Sequence, residues 1–337
     1  MVVTIRVGDV WLRSIGDYGQ VVVTDRFPGG CWSLDWEMAL PSGVQPEVLS
    51  VGAYVQAYAG GLRWAGILDV PDWNEGKFSA SGLSRIGENL AAVDTLGDPT
   101  AHPMAAVLAA IGRGALPWGT LETFTAVTDD PPTTYNTVSS VLNAYCEDKG
   151  KYWGVDQTGY LWVDSLPTSP GLFIAPGAGD IGTSTDTQVT HLYATYLNRS
   201  YRLANVIAAS PVGQHRVERI VDLTERGPLT EVQAQALVDS IVARTGTQTR
   251  LTSGLTVSYG QITDARGQVV ELSEVRPRGV VQANGIPDPR TQAANTRYVV
   301  GETVWDVTAG TVQINPLDQA PTDFAAVIEA EGGSVIL

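Results

Sequence analysis

The sequence predicts a mainly β protein with an α+β insert. Three observations carry that prediction. Apolar and polar residues alternate with period two along residues 31–40, with Trp32, Leu34, Trp36, Met38 and Leu40 on one face. Turn residues punctuate the chain, with 36 Gly and 19 Pro in 337 residues. Helical periodicity is confined to four stretches, and strands do not alternate with helices as a doubly wound sheet requires.

The elements follow in order. Residues 2–7 and 20–24 read as short strands ahead of the 31–40 strand. Residues 54–58 and 62–68 form a hairpin around Gly60-Gly61. The block up to about residue 90 thus reads as a small antiparallel barrel or sandwich. Residues 103–111 are Ala-rich and helical. Residues 134–149 give a stronger helix, with Val138, Val141, Leu142, Tyr145 and Cys146 on one stripe and Gly150 as its stop. Residues 151–163 read as a hairpin turning at 156–159, with Trp153 and Trp162 paired across it. A Pro-, Ser- and Gly-rich loop covers 167–182. Strands are expected at 191–197 and 203–208. Thr230 and Gln233 form a capping box for a helix over 230–244, with Ala234, Leu237, Val238, Ile241 and Val242 as its stripe. Strands resume at 254–259 and 268–272. A hairpin over 297–307 and 311–314 turns at Ala309-Gly310. A short helix over 322–330 closes the pattern, with Phe324, Val327 and Ile328 at helical spacing.

Composition narrows the function classes. A 35.8 kDa chain corresponds to roughly two domains. Hydrophobic residues make up 44% and charged residues 17%, which excludes a disordered acidic chain. No apolar run reaches the ~18 residues of a membrane-spanning helix, and residues 1–9 have no signal-peptide core. The net charge of −15 has the wrong sign for a protein that neutralises DNA phosphates. An acidic wall can instead line a passage through which DNA slides without sticking. Only Lys77, Lys149 and Lys151 are lysines, against eighteen arginines, a bias that fits a GC-rich genome. Cys31 and Cys146 are too few for a disulfide framework or a zinc site, and both read as structural.

The search for chemistry returns little. Gly177, Gly179 and Gly182 match a dinucleotide-binding pattern, but 183–190 is polar and β-branched where a helix should start. His102, His191 and His215 are dispersed and read as capping or solvated. Asp35 and Glu37 flank Trp36, a glycosidase-like pairing, yet both belong to the polar face of one strand. Asp69, Asp72 and Glu75 surround Trp73 in a turn-rich setting that favours a solvated loop. There is no nucleophile elbow and no phosphate-binding loop. Asn198-Arg199-Ser200 has the form of a glycosylation sequon, which matters only in a secreted eukaryotic protein. Nine tryptophans invite a sugar-binding reading, but strand alternation places Trp32 and Trp36 in the core. No catalytic, cofactor or metal residue is assigned.

Several blocks together carry a family resemblance. They are Arg26-Phe27-Pro28-Gly29-Gly30 with Trp32-Ser33-Leu34, Gly52-Ala53-Tyr54-Val55, and Trp64-Ala65-Gly66-Ile67-Leu68. Then come Tyr152-Trp153-Gly154-Val155-Asp156 with Gly159-Tyr160-Leu161, and Val221-Asp222-Leu223-Thr224 with Gly227-Pro228-Leu229-Thr230. Last are Tyr298-Val299-Val300-Gly301-Glu302-Thr303 and Ile314-Asn315-Pro316 before an acidic closing helix. In this order they resemble the minor tail proteins of siphophages that infect actinobacteria, and among them the tail hub proteins, similar to the baseplate hub of contractile phages.

The resemblance implies two tube-type β-barrel domains. The first would span 1–95 and the second, with its embedded helix, 189–316. An α/β insert at 96–188 would separate them, and a C-terminal helix and tail would occupy 317–337. It further implies a homotrimeric, pseudo-sixfold ring at the virion's tail tip, joining the sixfold tube to threefold tip proteins. Its implied partners are the distal tail protein, the tape-measure protein and other tip proteins. Genomic DNA would pass through the lumen unbound, and the host envelope would be met only indirectly. The end at Leu337 leaves no room for the peptidase or lysozyme domains of larger relatives. The competing readings are a hexameric distal tail protein, a receptor-binding minor tail protein, and a cell-wall hydrolase using Asp35, Glu37 or the 69–75 carboxylates.

Overall fold

The computed structural model describes residues 3–40, 45–69, 71–120, 135–156, 158–178, 183–184, 189–209, 216–245, 250–251, 254–288, 293–317 and 334–335. Strands β1 (Thr4–Val7), β2 (Tyr18–Arg26), β3 (Gly29–Met38), β4 (Tyr54–Ala59), β5 (Leu62–Leu68) and β6 (Lys77–Gly82) come first. Helices α1 (Pro103–Gly112) and α2 (Val138–Lys149) precede β7 (Tyr152–Val155), β8 (Tyr160–Asp164) and β9 (Leu172–Ile174). Strands β10 (His191–Leu197), β11 (Leu203–Ala209) and β12 (Glu218–Asp222) lead to helix α3 (Glu231–Thr245). Five strands follow: β13 (Leu255–Ser258), β14 (Ile262–Asp264), β15 (Val280–Ala283), β16 (Thr296–Asp306) and β17 (Thr311–Pro316). The expected closing helix at 322–330 lies outside the described residues.

The chain gathers into two compact units. One comprises Met1–Gly179, Leu255–Gly285 and Arg297–Leu317, and the other Asp180–Gly254, Ile286–Thr296 and Asp318–Leu337. In the first unit the strands form one branched sheet in the order β14-β9-β15-β16-β2-β3-β6-β5-β4-β1. Strand β17 hangs from β16 and carries β13, and β7 hangs from β3 and carries β8. The path from β2 to β1 bends back on itself. Tyr18, at the start of β2, donates its hydroxyl proton to the Val3 carbonyl (2.9 Å) and accepts from the Ile5 amide (3.1 Å). A side chain thus spans the gap where no backbone ladder closes among the described residues. Ile5, Leu34, Trp36, Val55, Ala57, Trp64 and Phe78 are buried in this unit.

The 31–40 alternation holds from Leu34 to Met38 and breaks at Trp32. Thr24 pairs with Ser33 but Asp25 pairs with Cys31, so Trp32 is an extra residue in a β-bulge. The bulge reverses the phase. Cys31 is buried, and Trp32 is half-buried between Arg26 (4.3 Å) and Arg85 (5.1 Å) instead of in the core. At Gly82 the backbones meet so closely that a Cβ would lie 1.8 Å from the Cys31 carbonyl oxygen.

The insert folds onto this sheet. Helix α2 starts at Val138, later than expected, because Thr137 supplies the cap: its hydroxyl accepts from the Ser140 amide at 3.1 Å. The anticipated stripe is buried, and Gly150 ends the helix in the left-handed region. Val141, Leu142 and Cys146 share one core with Ala106, Ala110, Trp118, Trp153 and Leu161, with Ala65 of β5 and with Leu83 just after β6. The tryptophans of the β7–β8 hairpin do not pair with each other. The register sets Trp153 against Val163 and Trp162 against Gly154. Trp153 turns inward and donates to Asn143 Oδ1 at 2.6 Å, while Trp162 lies over the space that a Gly154 side chain would fill. The strand expected at 268–272 reduces to a single bridge, Thr263 to Val269, before a 3-10 turn at Leu272–Glu274.

In the second unit a sheet of order β11-β10-β12, extended by residues 334–335, is backed by α3. The capping box forms as expected: the Thr230 amide donates to Gln233 Oε1 at 3.0 Å and the Gln233 amide to Thr230 Oγ1 at 3.2 Å. Ala234, Val238, Ile241 and Val242 are buried against Leu192, Ala194, Tyr196, Val206 and Val221. The opposite face carries exposed Ile207 and Ile220, both in register with Tyr193.

Replacing Gly82 by alanine should therefore cost the first unit about 2–3 kcal/mol, the penalty of overpacking a tight interior. Its melting temperature should drop by roughly 4–12 °C. Gly112→Ala, at a helix end where a Cβ meets nothing within 4 Å, should leave the melt unchanged or slightly higher. Calorimetry of both variants checks the contrast.

Candidate functional site

A cavity of about 190 Å³ opens in the first unit. The β2–β3 turn, the β7–β8 hairpin and the segment Arg276-Pro277-Arg278 build it, with Arg26, Arg63, Arg276 and Arg278 in its lining. Four arginines thus line it beside Asp25 and Asp156, in a chain whose net charge is −15. Their surroundings differ. Arg26 reaches Glu302 directly across the β2–β16 ladder (2.5 Å). Arg278 pairs with Asp164 and lies over the Trp162 ring at 4.5 Å. Trp162 stacks on Phe27, and Phe27 in turn contacts Tyr152. Arg63 forms no ion pair among the described residues.

Arg276 reaches inward to Asp25, its Nη1 donating to Oδ2 at 3.0 Å. Asp25 is 6% exposed, and its Oδ1 has no well-aligned donor. Burial raises the Asp25 pKa; Arg276 and a weak hydrogen bond from the Cys31 thiol pull the other way without overcoming it. The same burial, together with the Asp25 charge, pushes the Cys31 thiol far up. Burial also pushes Cys146 up to about 11. Both cysteines are free and buried, placed as structural residues and not as nucleophiles.

The carboxylates nominated from the sequence do not meet. Asp35 accepts from Ser79 (2.6 Å) and from Ser33 (3.3 Å), holding neighbouring strands together. Glu37 is exposed opposite Lys77. Asp69 accepts from Ser81 at 2.7 Å. Asp72 accepts from the amides of Asn74 and Glu75, each at 3.0 Å, and so organises the turn. Glu75 pairs with Lys77. None of them lines the cavity.

The remaining candidates play local parts. His102 caps α1, its Nδ1 accepting from the Ala105 amide at 3.4 Å. His191 contacts the Thr190 hydroxyl at 3.1 Å. His215, Gly179 and Gly182 lie outside the described residues. Asn198 spends its side-chain oxygen on the amides of Ser200 (2.9 Å) and Arg202 (3.0 Å), closing the β10–β11 turn. Among the described residues no three metal-ligating side chains converge, and no helix is long and apolar enough to cross a membrane. Sequence reasoning did not find the cavity. Its signal was the excess of arginines over lysines, together with the dense Arg276-Pro277-Arg278 segment.

No family model matches the sequence, and no curated protein matches it. Solved structures do share its fold. The 43 kDa tail protein of prophage MuSo2 from Shewanella oneidensis superposes with a TM-score of 0.54 at 12% identity, covering 95% of this chain and 99% of that one. The tail protein from Neisseria meningitidis MC58 gives 0.50 at 13% identity, over 94% and 96%. Prophage tail protein gp18 from Listeria monocytogenes EGD-e gives 0.50 at 10% identity, over 98% of both chains. At these identities the likeness is one of fold, and it runs nearly end to end.

Two measurements check the electrostatics of this region. A carboxyl with a raised folded pKa favours the folded state most below its unfolded value, 3.8 here. That contribution is lost as pH climbs through the raised value. Asp25→Asn removes the ionisation, so its stability minus that of the wild type should grow as pH rises above 3.8 and then level off. A difference independent of pH in urea melts would contradict it. Second, neither cysteine should react with a thiol reagent in the native protein at mildly alkaline pH, and both should react once it is unfolded.

Proposed function

We propose that this chain is a structural protein of a siphophage tail, forming a homotrimeric hub ring at the tail tip of a phage of actinobacteria. The observation that carries the reading is the end-to-end fold match to phage tail proteins, at 95% and 99% coverage for the Shewanella prophage protein. The ordered sequence blocks that resemble tail hub proteins support the finer assignment. So does a mainly β chain with two separate strand-rich units.

In this reading the sheet of β2, β3, β6, β5, β4 and β1, curled back through Tyr18, is one tube-type module. The helix-backed sheet of β10, β11 and β12 belongs to the second. The ring joins the sixfold tube, through the distal tail protein, to threefold tip proteins. The tape-measure protein and then the genome pass through its lumen. An acidic wall suits that passage, because it repels phosphates and leaves DNA unbound. The role is architectural and no reaction is assigned to it. Asp35 and Asp69 act as strand ties, which gives the hydrolase alternative no paired acid and base to work with.

Gold-labelled antibody on purified virions tests the assignment. Label confined to the tail end away from the capsid, with threefold symmetry in class averages of isolated tips, is the expected result. Sixfold symmetry would favour the distal tail reading. Absence of the protein from denatured virions would sink a structural role altogether.

A further inference from the structure

We propose that two copies of this chain pair edge to edge through strand β11, antiparallel about a two-fold axis at Asn205, so that their helix-backed sheets join into one. The contact uses the same patch on both copies. It is therefore distinct from the head-to-tail contacts of the proposed ring and does not rest on the tail reading.

Strand β11 is an open edge. It ends the sheet order β11-β10-β12, and its outer side pairs with no strand among the described residues. The Asn198 amide donates to the Arg202 carbonyl at 2.9 Å, which makes 198 and 202 a hydrogen-bonded pair. Bonded and non-bonded pairs alternate along an antiparallel ladder. Leu197 with Leu203, Thr195 with Asn205 and Tyr193 with Ile207 are thus the non-bonded set. The amides and carbonyls of Leu203, Asn205 and Ile207 therefore point away from β10. Gln235 of α3 agrees with that direction, since its side chain donates to the Ile207 carbonyl at 2.9 Å. That carbonyl keeps a second lone pair.

The two edges of this sheet are built differently. Strand β12 carries Glu218, Arg219 and Asp222, and its last two residues are covered by 334–335. Charge and a covering segment keep an edge from pairing with other chains. Strand β11 has no charge, no proline and no glycine over its seven residues. Its register with β10 is unbroken, so no bulge twists it away. Leu203 is 69% and Ile207 55% exposed, on the face away from α3.

A second copy is the occupant that this strand matches. The outward row Leu203, Asn205, Ile207 reads apolar, amide, apolar, the same in both directions. A two-fold axis at Asn205 sets Leu203 of each copy opposite Ile207 of the other and Asn205 opposite itself. Each opposed pair exchanges two backbone hydrogen bonds, and the apolar side chains meet on the exposed face. Asn205 accepts from the Thr195 hydroxyl at 3.0 Å, which leaves its side-chain amide protons to donate across the axis. Charge favours the same occupant. Each chain carries −15, so copies repel where charged faces meet, and a neutral strand is where they approach without that cost. The nearest charge along the strand, Arg202, falls opposite Ala208 of the other copy.

Sedimentation equilibrium of the full chain tests the contact, with thermal melts confirming that each variant folds. The wild type should show a concentration-dependent monomer–dimer equilibrium. Asn205→Lys and Asn205→Asp each place like charges across the axis and should weaken dimerisation about tenfold or more. An equimolar mixture of the two should recover it, because opposite charges then meet. Asn205→Cys should form an interchain disulfide under mild oxidation, since the Cα atoms of a hydrogen-bonded pair lie ~5.5 Å apart. Tyr259→Cys, exposed on the first unit, should not. Cys31 and Cys146 are buried and stay out of the reaction. A wild type that stays monomeric, charged variants that associate like the wild type, a mixture that fails to recover, or an Asn205→Cys protein that does not cross-link would each overturn the contact. A trimer indifferent to residue 205 would overturn it while agreeing with the ring. Charge-dependent dimers of a protein absent from virions would uphold the contact and remove the tail reading.

Discussion

The first unit depends on the demand that both edges of the hairpin β2–β3 be hydrogen-bonded. Strands buried this deeply cannot leave amides and carbonyls unpaired. One edge is met locally by β6, whose residues 77–81 pair with residues 33–37. The other is met by β16, with Arg26 opposite Glu302 and Val22 opposite Asp306. That second ladder joins residues more than 270 positions apart and brings the Arg276 segment back to Asp25. The cavity exists because of this pairing, since the loop that carries Arg276 and Arg278 is held on β16, the Arg278 amide donating to the Val300 carbonyl at 2.7 Å.

The same pairing explains why a carboxyl as poorly solvated as Asp25 is tolerated. Strand β2 carries it into the interior at the bulge, and Arg276 arrives on returning chain to meet it. Removing one partner of such a pair costs more than the pair contributes, because the survivor is left buried without its counter-charge. The aromatic layers outside it serve a different end. Trp32 and Trp162 each lie beneath an arginine, so flat apolar area is covered by a group that stays in contact with water.

Local chemistry was legible in the sequence. The capping box at Thr230, the glycine stop at Gly150, the hairpin turn at Gly60-Gly61 and the buried stripe of α2 all stand where residue types placed them. Each depends on neighbours within a few positions. The misreadings share an opposite cause. Trp32 left the core because of a bulge whose extra residue is defined by the partner strand. Trp153 and Trp162 failed to pair because register, not proximity to the turn, decides which side chains face each other. The arginine cavity draws on residues 26, 63, 276 and 278, and no window of sequence contains them together. The arginine excess was visible, but as composition it fitted codon usage as well as any site.

The Tyr18 clasp has a consequence of its own. A ladder of backbone bonds would fix the circumference of the β2-to-β1 curl, because register comes in whole residues. A single phenol hydroxyl imposes no such step. Among the described residues the curl is bridged by one side chain whose torsions adjust continuously, so its girth is a soft coordinate while its strand pairings stay fixed. A module sealed this way can breathe to match a neighbour of slightly different radius without breaking any backbone pairing.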